Sequence, residues 1–301
     1  AAYHTFDDYG EALEYVRGGS FPVVLKYDGL AAGKGVVIPE TFEEADATLK
    51  DMLLDSRFGK GKVVIEDFLT GPEFSFMCFV NGTEVYPMAL SQDHKRAYEG
   101  DKGPNTGGMG AYSPLPFITE EDKEYALEKI MKPVAAGMAA EGCPFRGVLY
   151  GGLIKTPDGI KVIEFNCRFG DPETEVILPL LESDIYDIFS AVADNTPMPE
   201  IRWNSGATMG FVMASKGYPG SYDKGFAIEG LEDALSDPSI RIYHMGTAAK
   251  DGGFVTSGGR VLMVVGSGET LQQAHDTALR AVGKIKCDNL FYRKDIGWRV
   301  L

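Results

Sequence analysis

Val162-Ile163-Glu164-Phe165-Asn166-Cys167-Arg168 reads as the end of a strand on which an acid, an amide and a guanidinium share one face. Side chains at i, i+2 and i+4 of a strand point the same way, about 7 Å apart per step. Glu164 and Asn166 therefore present two hard oxygen ligands together, which suits Mg2+ bound beside phosphate oxygens. Arg168 falls on the same side, placed to stabilise developing negative charge. Such groups on an inward face are costly unless paired or bound to something. The competing reading is a buried salt-bridge network.

Working outward, Val148–Lys155 precedes this strand, and Pro157-Asp158-Gly159 joins the two as a hairpin. Upstream, Thr119 and Asp122 cap a helix with Leu127, Ile130, Val134 and Met138 on one face and a kink at Pro133. Residues 91–116 are rich in glycine and proline and read as one long loop, a length that signals function or disorder. Within it, Asp93, His94, Lys95 and Arg96 mix an acid with three potential cations, and residues 104–110 expose several amides. Both stretches read as a polar substrate cradle or a solvated loop. His4, His244 and His275 have no partners at metal or triad spacing and read as structural.

At the start of the chain, strands are expected over residues 21–26, 36–38, 62–66 and 74–80, with a helix capped by Thr41 and Glu44. Gly29-Leu-Ala-Ala-Gly33-Lys34-Gly35 is not a Walker A loop: the spacing is one residue short, no Ser or Thr follows Lys34, and a strand comes next. Its amides and Lys34 suit phosphates, and Lys26 on the preceding strand can reach the same anion; an ordinary glycine hairpin is the other reading. Glu66, Asp67 and Glu73 by themselves read as a solvated strand end. Downstream, Ser183–Asp194 is a helix and residues 195–205 the linker candidate. Strands over 207–215, 241–248 and 261–267 and a helix capped by Thr270 and Gln273 form a smaller last domain.

The 301 residues carry 29 Lys and Arg against 44 Asp and Glu, a formal charge of −15. That excludes a general nucleic-acid binder and a protein of anionic membranes, because both need a net cationic face. Cys78, Cys143, Cys167 and Cys287 form no CxxC and no dense framework, so reduced thiols and a cytoplasmic setting are expected. No apolar run approaches the roughly 20 residues of a membrane span. No GxSxG or Cys–His pairing supports hydrolase chemistry.

Lys26-Tyr-Asp-Gly-Leu-Ala-Ala-Gly-Lys-Gly35, Ser91-Gln-Asp-His-Lys-Arg96, Gly103-Pro-Asn-Thr-Gly-Gly-Met-Gly-Ala-Tyr-Ser113 and Glu164-Phe-Asn-Cys-Arg-Phe-Gly-Asp-Pro-Glu173 together resemble the phosphoribosylamine–glycine ligase family of the ATP-grasp superfamily. The resemblance extends to Phe291-Tyr-Arg-Lys-Asp-Ile-Gly-Trp298. It implies an α+β chain with an ATP-grasp fold in two α+β lobes, residues 1–70 and 71–195, followed by a small β-rich α+β domain over 206–301. It implies an ATP-dependent ligase that joins glycine to 5-phosphoribosylamine in purine biosynthesis through glycyl phosphate, releasing ADP and phosphate. ATP and Mg2+ (or Mn2+) would be its cofactors and the two small molecules its partners, with no nucleic acid or membrane.

By position, the resemblance gives ATP to Lys26, Gly33, Lys34, Gly35, Glu66, Phe68, Leu69 and Glu73, and the metal to Glu164 and Asn166. It gives glycine and phosphoribosylamine to Asp93, His94, Lys95, Asn105, Thr106, Gly107, Gly108, Met109, Gly110, Arg168, Asp171 and Glu173. Arg168 and Lys34 would be catalytic. Where many ATP-grasp relatives carry another metal-binding acid, Tyr150-Gly-Gly-Leu153 stands here. The family's N-terminal glycine-rich α/β domain has no counterpart in these residues, so the chain is expected to start inside the ATP-grasp region. Two other readings stay open: another ATP-grasp carboxylate–amine ligase, and an ATP-binding module without catalysis.

Overall fold

A computed structural model of the chain describes residues 1–31, 35–55, 59 and 61–301. Its contacts separate into two compact units, Ala1–Pro72 with Thr156–Ile163, and Glu73–Lys155 with Glu164–Leu301.

The first unit rests on strands with strict two-residue alternation. In Val23–Asp28 the side chains of Val23, Leu25 and Tyr27 are buried, and in Lys62–Asp67 those of Val63 and Ile65. These strands pair antiparallel at the centre of a four-stranded sheet flanked by Tyr3–Phe6 and Val36–Val37. The buried face packs on helices Tyr9–Arg17 and Phe42–Leu49 through Ala12, Val16, Ala45 and Leu49. Thr41 caps the second helix by accepting from the Glu44 N–H, and the Glu44 carboxylate accepts from the Glu40 N–H. Past Leu49 the backbone widens into a π-turn, Lys50–Leu54, which keeps Met52 in the core.

The second unit holds two larger sheets. One runs in the order Arg146–Thr156, Glu73–Asn81, Glu84–Pro87. The expected hairpin into the strand Gly159–Asn166 closes where Gly159 takes φ +99° and its carbonyl accepts from Thr156 Oγ1 at 2.8 Å. The helix after Thr119 starts with a complete capping box and breaks into Glu120–Ala126, a π-turn Leu127–Met131, and Lys132–Ala140. The cause is Pro133, which has no N–H for the helical ladder.

The other sheet has six strands and corrects the reading of residues 91–116 as one loop. Its main path is Ile240–His244, Arg260–Gly268, Ala207–Ser215, Gly110–Ser113, Gln92–Asp93, with Leu290–Phe291 also against Ala207–Ser215. Ala111 pairs with Gly210 on one side and with Asp93 on the other. Every residue of Ala207–Ser215 is buried, so its backbone needs partners on both edges. The short 110–113 and 92–93 segments extend the sheet on one side. Gln92–Asp93 and Gly110–Ser113 thus share a sheet with Ala207–Ser215, and residues 73–155 and 164–301 fall in one compact unit.

Residues 195–205 fold back: Asn204 N donates to Leu180 O at 2.7 Å and Glu182 N to Arg202 O at 3.0 Å. The single strand expected over 241–248 is two, Ile240–His244 and Thr247–Lys250, because Met245 and Gly246 both donate to Val261 O and turn the chain. Thr270 caps the helix Leu271–Val282, as expected. That helix lies so close to the sheet that a Cβ on Gly266 would come within 2.5 Å of Ala274 O.

Candidate active site

In the first unit, Val24 pairs with Glu66 and Lys26 with Val64, so Lys26 and Glu66 are diagonal neighbours on the sheet face away from the helices. Lys26 Nζ lies 2.8 Å from Glu66 Oε2 and donates to Ile163 O at 2.9 Å. Both side chains are about one-fifth exposed, so the pair is shielded yet open to a ligand. Phe68 is exposed just past the strand and Leu69 half-buried. Gly35 lies within the description; Gly33 and Lys34 lie outside the described residues.

In the second unit, Glu164 and Asn166 stand where the alternation puts them. Asn166 Nδ2 donates to Glu164 Oε1 at 3.1 Å, so a carboxylate and an amide meet on one side of the strand. Both are oxygen donors of the kind a hard divalent cation takes, so the pair fits that cation. Gly152 explains how they fit: a Cβ there would lie 3.2 Å from Glu164 Cγ, so the glycine makes room for the Glu164 stem. Among the described residues no three or more His, Cys, Asp or Glu side chains gather as a metal cluster. Arg168 is exposed and donates through Nη1 to Phe169 O at 2.9 Å.

Beyond this strand lies a buried acid centre. Glu173 Oε1 accepts from Ser75 Oγ at 2.8 Å and from the Tyr150 hydroxyl at 2.9 Å. Burial pushes the Asp93 carboxyl up to about 7, and the Glu173 carboxylate adds to the rise while Lys95 opposes it. Burial also opposes the charge on Lys95, but Asp93, Glu73 and Glu164 outweigh that and hold it protonated. Lys95 Nζ reaches Glu73 Oε2 at 2.6 Å.

The 105–110 segment is fixed by its backbone. Thr106 bonds Lys95 O through both N–H (2.7 Å) and hydroxyl (2.9 Å), and its hydroxyl accepts from Gly108 N. Gly108 has φ +115°, and a Cβ on it would sit 2.3 Å from Pro172 Cδ. Gly107 N donates to the Tyr218 hydroxyl, and Gly107 O accepts from Arg260. Asn105 is exposed, whereas the Met109 side chain is fully buried. Asp171 is held by Arg260 through two bonds, Nη1–Oδ1 at 2.8 Å and Nη2–Oδ2 at 3.1 Å.

The phosphoribosylglycinamide synthetase ATP-grasp (A) domain model matches residues 1–174, and the C domain model of the same synthetase matches residues 208–299. The chain is 55% identical to a phosphoribosylamine–glycine ligase of Listeria innocua over 99% of its own length and 71% of that protein's. It is 49% identical to the ligase of Halalkalibacterium halodurans, over 100% of its length and 70% of that protein's. The chain belongs to the phosphoribosylamine–glycine ligase family. The crystal structure of the Thermotoga maritima ligase superposes with a TM-score of 0.88 at 34% identity, covering 99% of this chain and 74% of that one. The α+β ATP-grasp fold, the ligase class and the place in purine biosynthesis follow from that membership, as does use of ATP and a divalent metal. No helix among the described residues is long and apolar enough to cross a membrane.

In this phosphoribosylamine–glycine ligase family member, the structure gathers Asp93, Lys95 and Glu173 in one cluster, but not the His94 side chain. The imidazole of His94 is 1% exposed, and Nε2 accepts from Gly297 N at 3.0 Å. Around it, Arg293 donates twice to Asp295 and also pairs with Asp101, which Arg299 reaches too. Sequence reasoning missed Ser75, Tyr150, Tyr218, Arg260 and Arg293. Arg293 lay inside a quoted motif, and Tyr150 occupies the strand searched for an acid; the others carried no signal.

Burial, with the Arg299 and Arg293 charges, pushes the His94 imidazole down to about 4, against the pull of Asp101 and Asp295. The folded value lies below the unfolded one of about 6.5. Unfolding therefore takes up a proton in acid, and the stability from neutral His94 is full above about pH 6.5 and lost as pH falls through about 4. His94→Gln keeps an acceptor for Gly297 and is expected to lose less stability than the wild type between those values. Urea unfolding at a series of pH values checks this; parallel curves would refute it.

Proposed function

We propose that the nucleotide is held by Lys26, Gly33, Lys34, Gly35, Glu66, Phe68, Leu69 and Glu73, and Mg2+ (or Mn2+) by Glu164 and Asn166, in the cytoplasm. Glycine and 5-phosphoribosylamine lie against Asp93, Lys95, Arg168, Glu173 and the Asn105–Gly110 segment, with Asp171 acting through Arg260 and His94 through its backbone. Residues 1–70, 71–195 and 206–301 serve as small lobe, large lobe and C-terminal domain. The observation that carries this reading is the Glu164–Asn166 contact at 3.1 Å, two hard donors side by side in a chain of this family.

Phosphoryl transfer demands positioning and charge neutralisation more than covalent help. The glycine carboxylate attacks the γ-phosphorus, ADP leaves, and glycyl phosphate results. The phosphoribosylamine nitrogen then attacks the acyl carbon, a C–N bond forms, and phosphate departs. Lys26, Lys34 and Arg168 neutralise the phosphates and the charge that develops on them. A bound divalent cation supplies further neutralisation of phosphate oxygens. The attacking amine must lose a proton, and a carboxyl near 7, such as Asp93, is matched to accept one at neutral pH.

A thermal melt with MgATP tests the nucleotide assignment. At about 100 times Kd, a ligand of the native state stabilises by roughly 2.7 kcal/mol. For a chain of this size that is a rise of roughly 5–10 °C in Tm. No rise would overturn the assignment. ADP release with glycine against other carboxylates then fixes the substrate: equal rates would point to another carboxylate–amine ligase.

A further inference from the structure

We infer that Arg260 is a positioning residue for the acceptor half of the site. This rests on the reading of residues 105–110 as substrate cradle. Arg260 begins the strand Arg260–Gly268, which lies between Ile240–His244 and Ala207–Ser215 in the six-stranded sheet. Its backbone pairs with Ala214 in that sheet, and its side chain is only one-fifth exposed. From there one guanidinium spans two segments far apart in the chain. Nη1 donates to Gly107 O at 2.8 Å and to Asp171 Oδ1 at 2.8 Å, while Nη2 donates to Asp171 Oδ2 at 3.1 Å.

The same sheet holds Gly107 a second time. Tyr218, in the turn after Ala207–Ser215, accepts from Gly107 N at 3.1 Å, and its own N–H donates to Ser215 O. Both backbone polar groups of Gly107 are thus bonded to side chains from residues 206–301. A Cβ at 107 would fall 2.9 Å from Arg260 Cζ, so a side chain there would push the guanidinium aside. Asp171 sits between Arg168 and Glu173 in sequence, so fixing its carboxylate also fixes the turn that carries those two. A bidentate fork sets orientation as well as distance, which a lysine cannot reproduce. Arg260 thereby transmits the rigidity of the sheet to the two segments that surround the acceptor substrates, without touching either substrate itself.

Steady-state kinetics of Arg260→Gln in the full-length enzyme, varying glycine, 5-phosphoribosylamine and ATP in turn, tests the inference. Small misplacement of a reacting group can cost up to about a hundredfold, so the KM of at least one acceptor should rise about tenfold, with the ATP KM within about twofold. Arg260→Lys should recover only part of the loss. Asp171→Asn added to Arg260→Gln should cost little more than the worse single change, because the two residues act as one unit. Unchanged KM values for both acceptors would overturn the inference. So would a uniform rise in all three that tracks a fall in Tm, the signature of a merely structural arginine. Thr106→Ala separates the two layers. If it raises the acceptor KM values while Arg260→Gln does not, only the positioning role falls; if neither does, the cradle reading falls with it.

Discussion

Glu164→Ala is expected to abolish the metal dependence of nucleotide binding and to lower turnover by about a thousandfold. Metal neutralisation of a phosphoryl group contributes several kcal/mol to the transition state, and about 4 kcal/mol is a factor of a thousand in rate. Glu164 is the charged member of the pair with Asn166, whose neutral amide cannot hold a hydrated divalent cation unaided. The substitution should leave the fold intact, because Glu164 is exposed and its stem lies over Gly152 rather than in a packed core. Calorimetric titration of ATP with and without Mg2+ reads the first effect, ADP-release kinetics the second, and a melt of each protein the fold. Unchanged metal-dependent affinity in the variant would remove Glu164 from the metal set.

Arg168→Lys should lower kcat by about a hundredfold while leaving ATP affinity nearly unchanged. A single preorganised donor aimed at developing charge is worth on the order of a hundred- to a thousandfold. Arg168 spends one Nη1 hydrogen bond on Phe169 O, which sets the plane of the guanidinium. Lysine keeps the charge but has no plane to fix and no fork to present. Comparing kcat with the ATP KM decides the matter. A normal kcat with a raised ATP KM would make Arg168 a nucleotide-binding residue and nothing more.

Much of the local architecture was legible in the residues. The alternation of Val23, Leu25 and Tyr27 marks a half-buried strand, and it places Lys26 on the open face before any partner is known. Thr41, Thr119 and Thr270 each cap the helix expected of them, since a cap is satisfied within three residues of chain. The pairing of Glu164 with Asn166 follows from strand geometry alone, and the four motifs together identified the family that the matching models then established.

Other features depended on groups far away in sequence. Gln92–Asp93 and Gly110–Ser113 are too short to show a period; they are strands because Ala207–Ser215, wholly buried, recruits them. His94 sits in a charged motif, yet its ring turns inward because Gly297, some two hundred residues on, donates to it. The Asp93 carboxyl rises to about 7 because folding takes it away from water and sets the Glu173 charge near it. Asp171 meets Arg260 across 89 positions. Residue type and local spacing determined which chemistry this chain carries, because caps, turns and strand faces close within a few residues. Which side chains face a ligand and which are spent on one another was decided by tertiary structure alone, because burial and charge pairing are properties of neighbours in space.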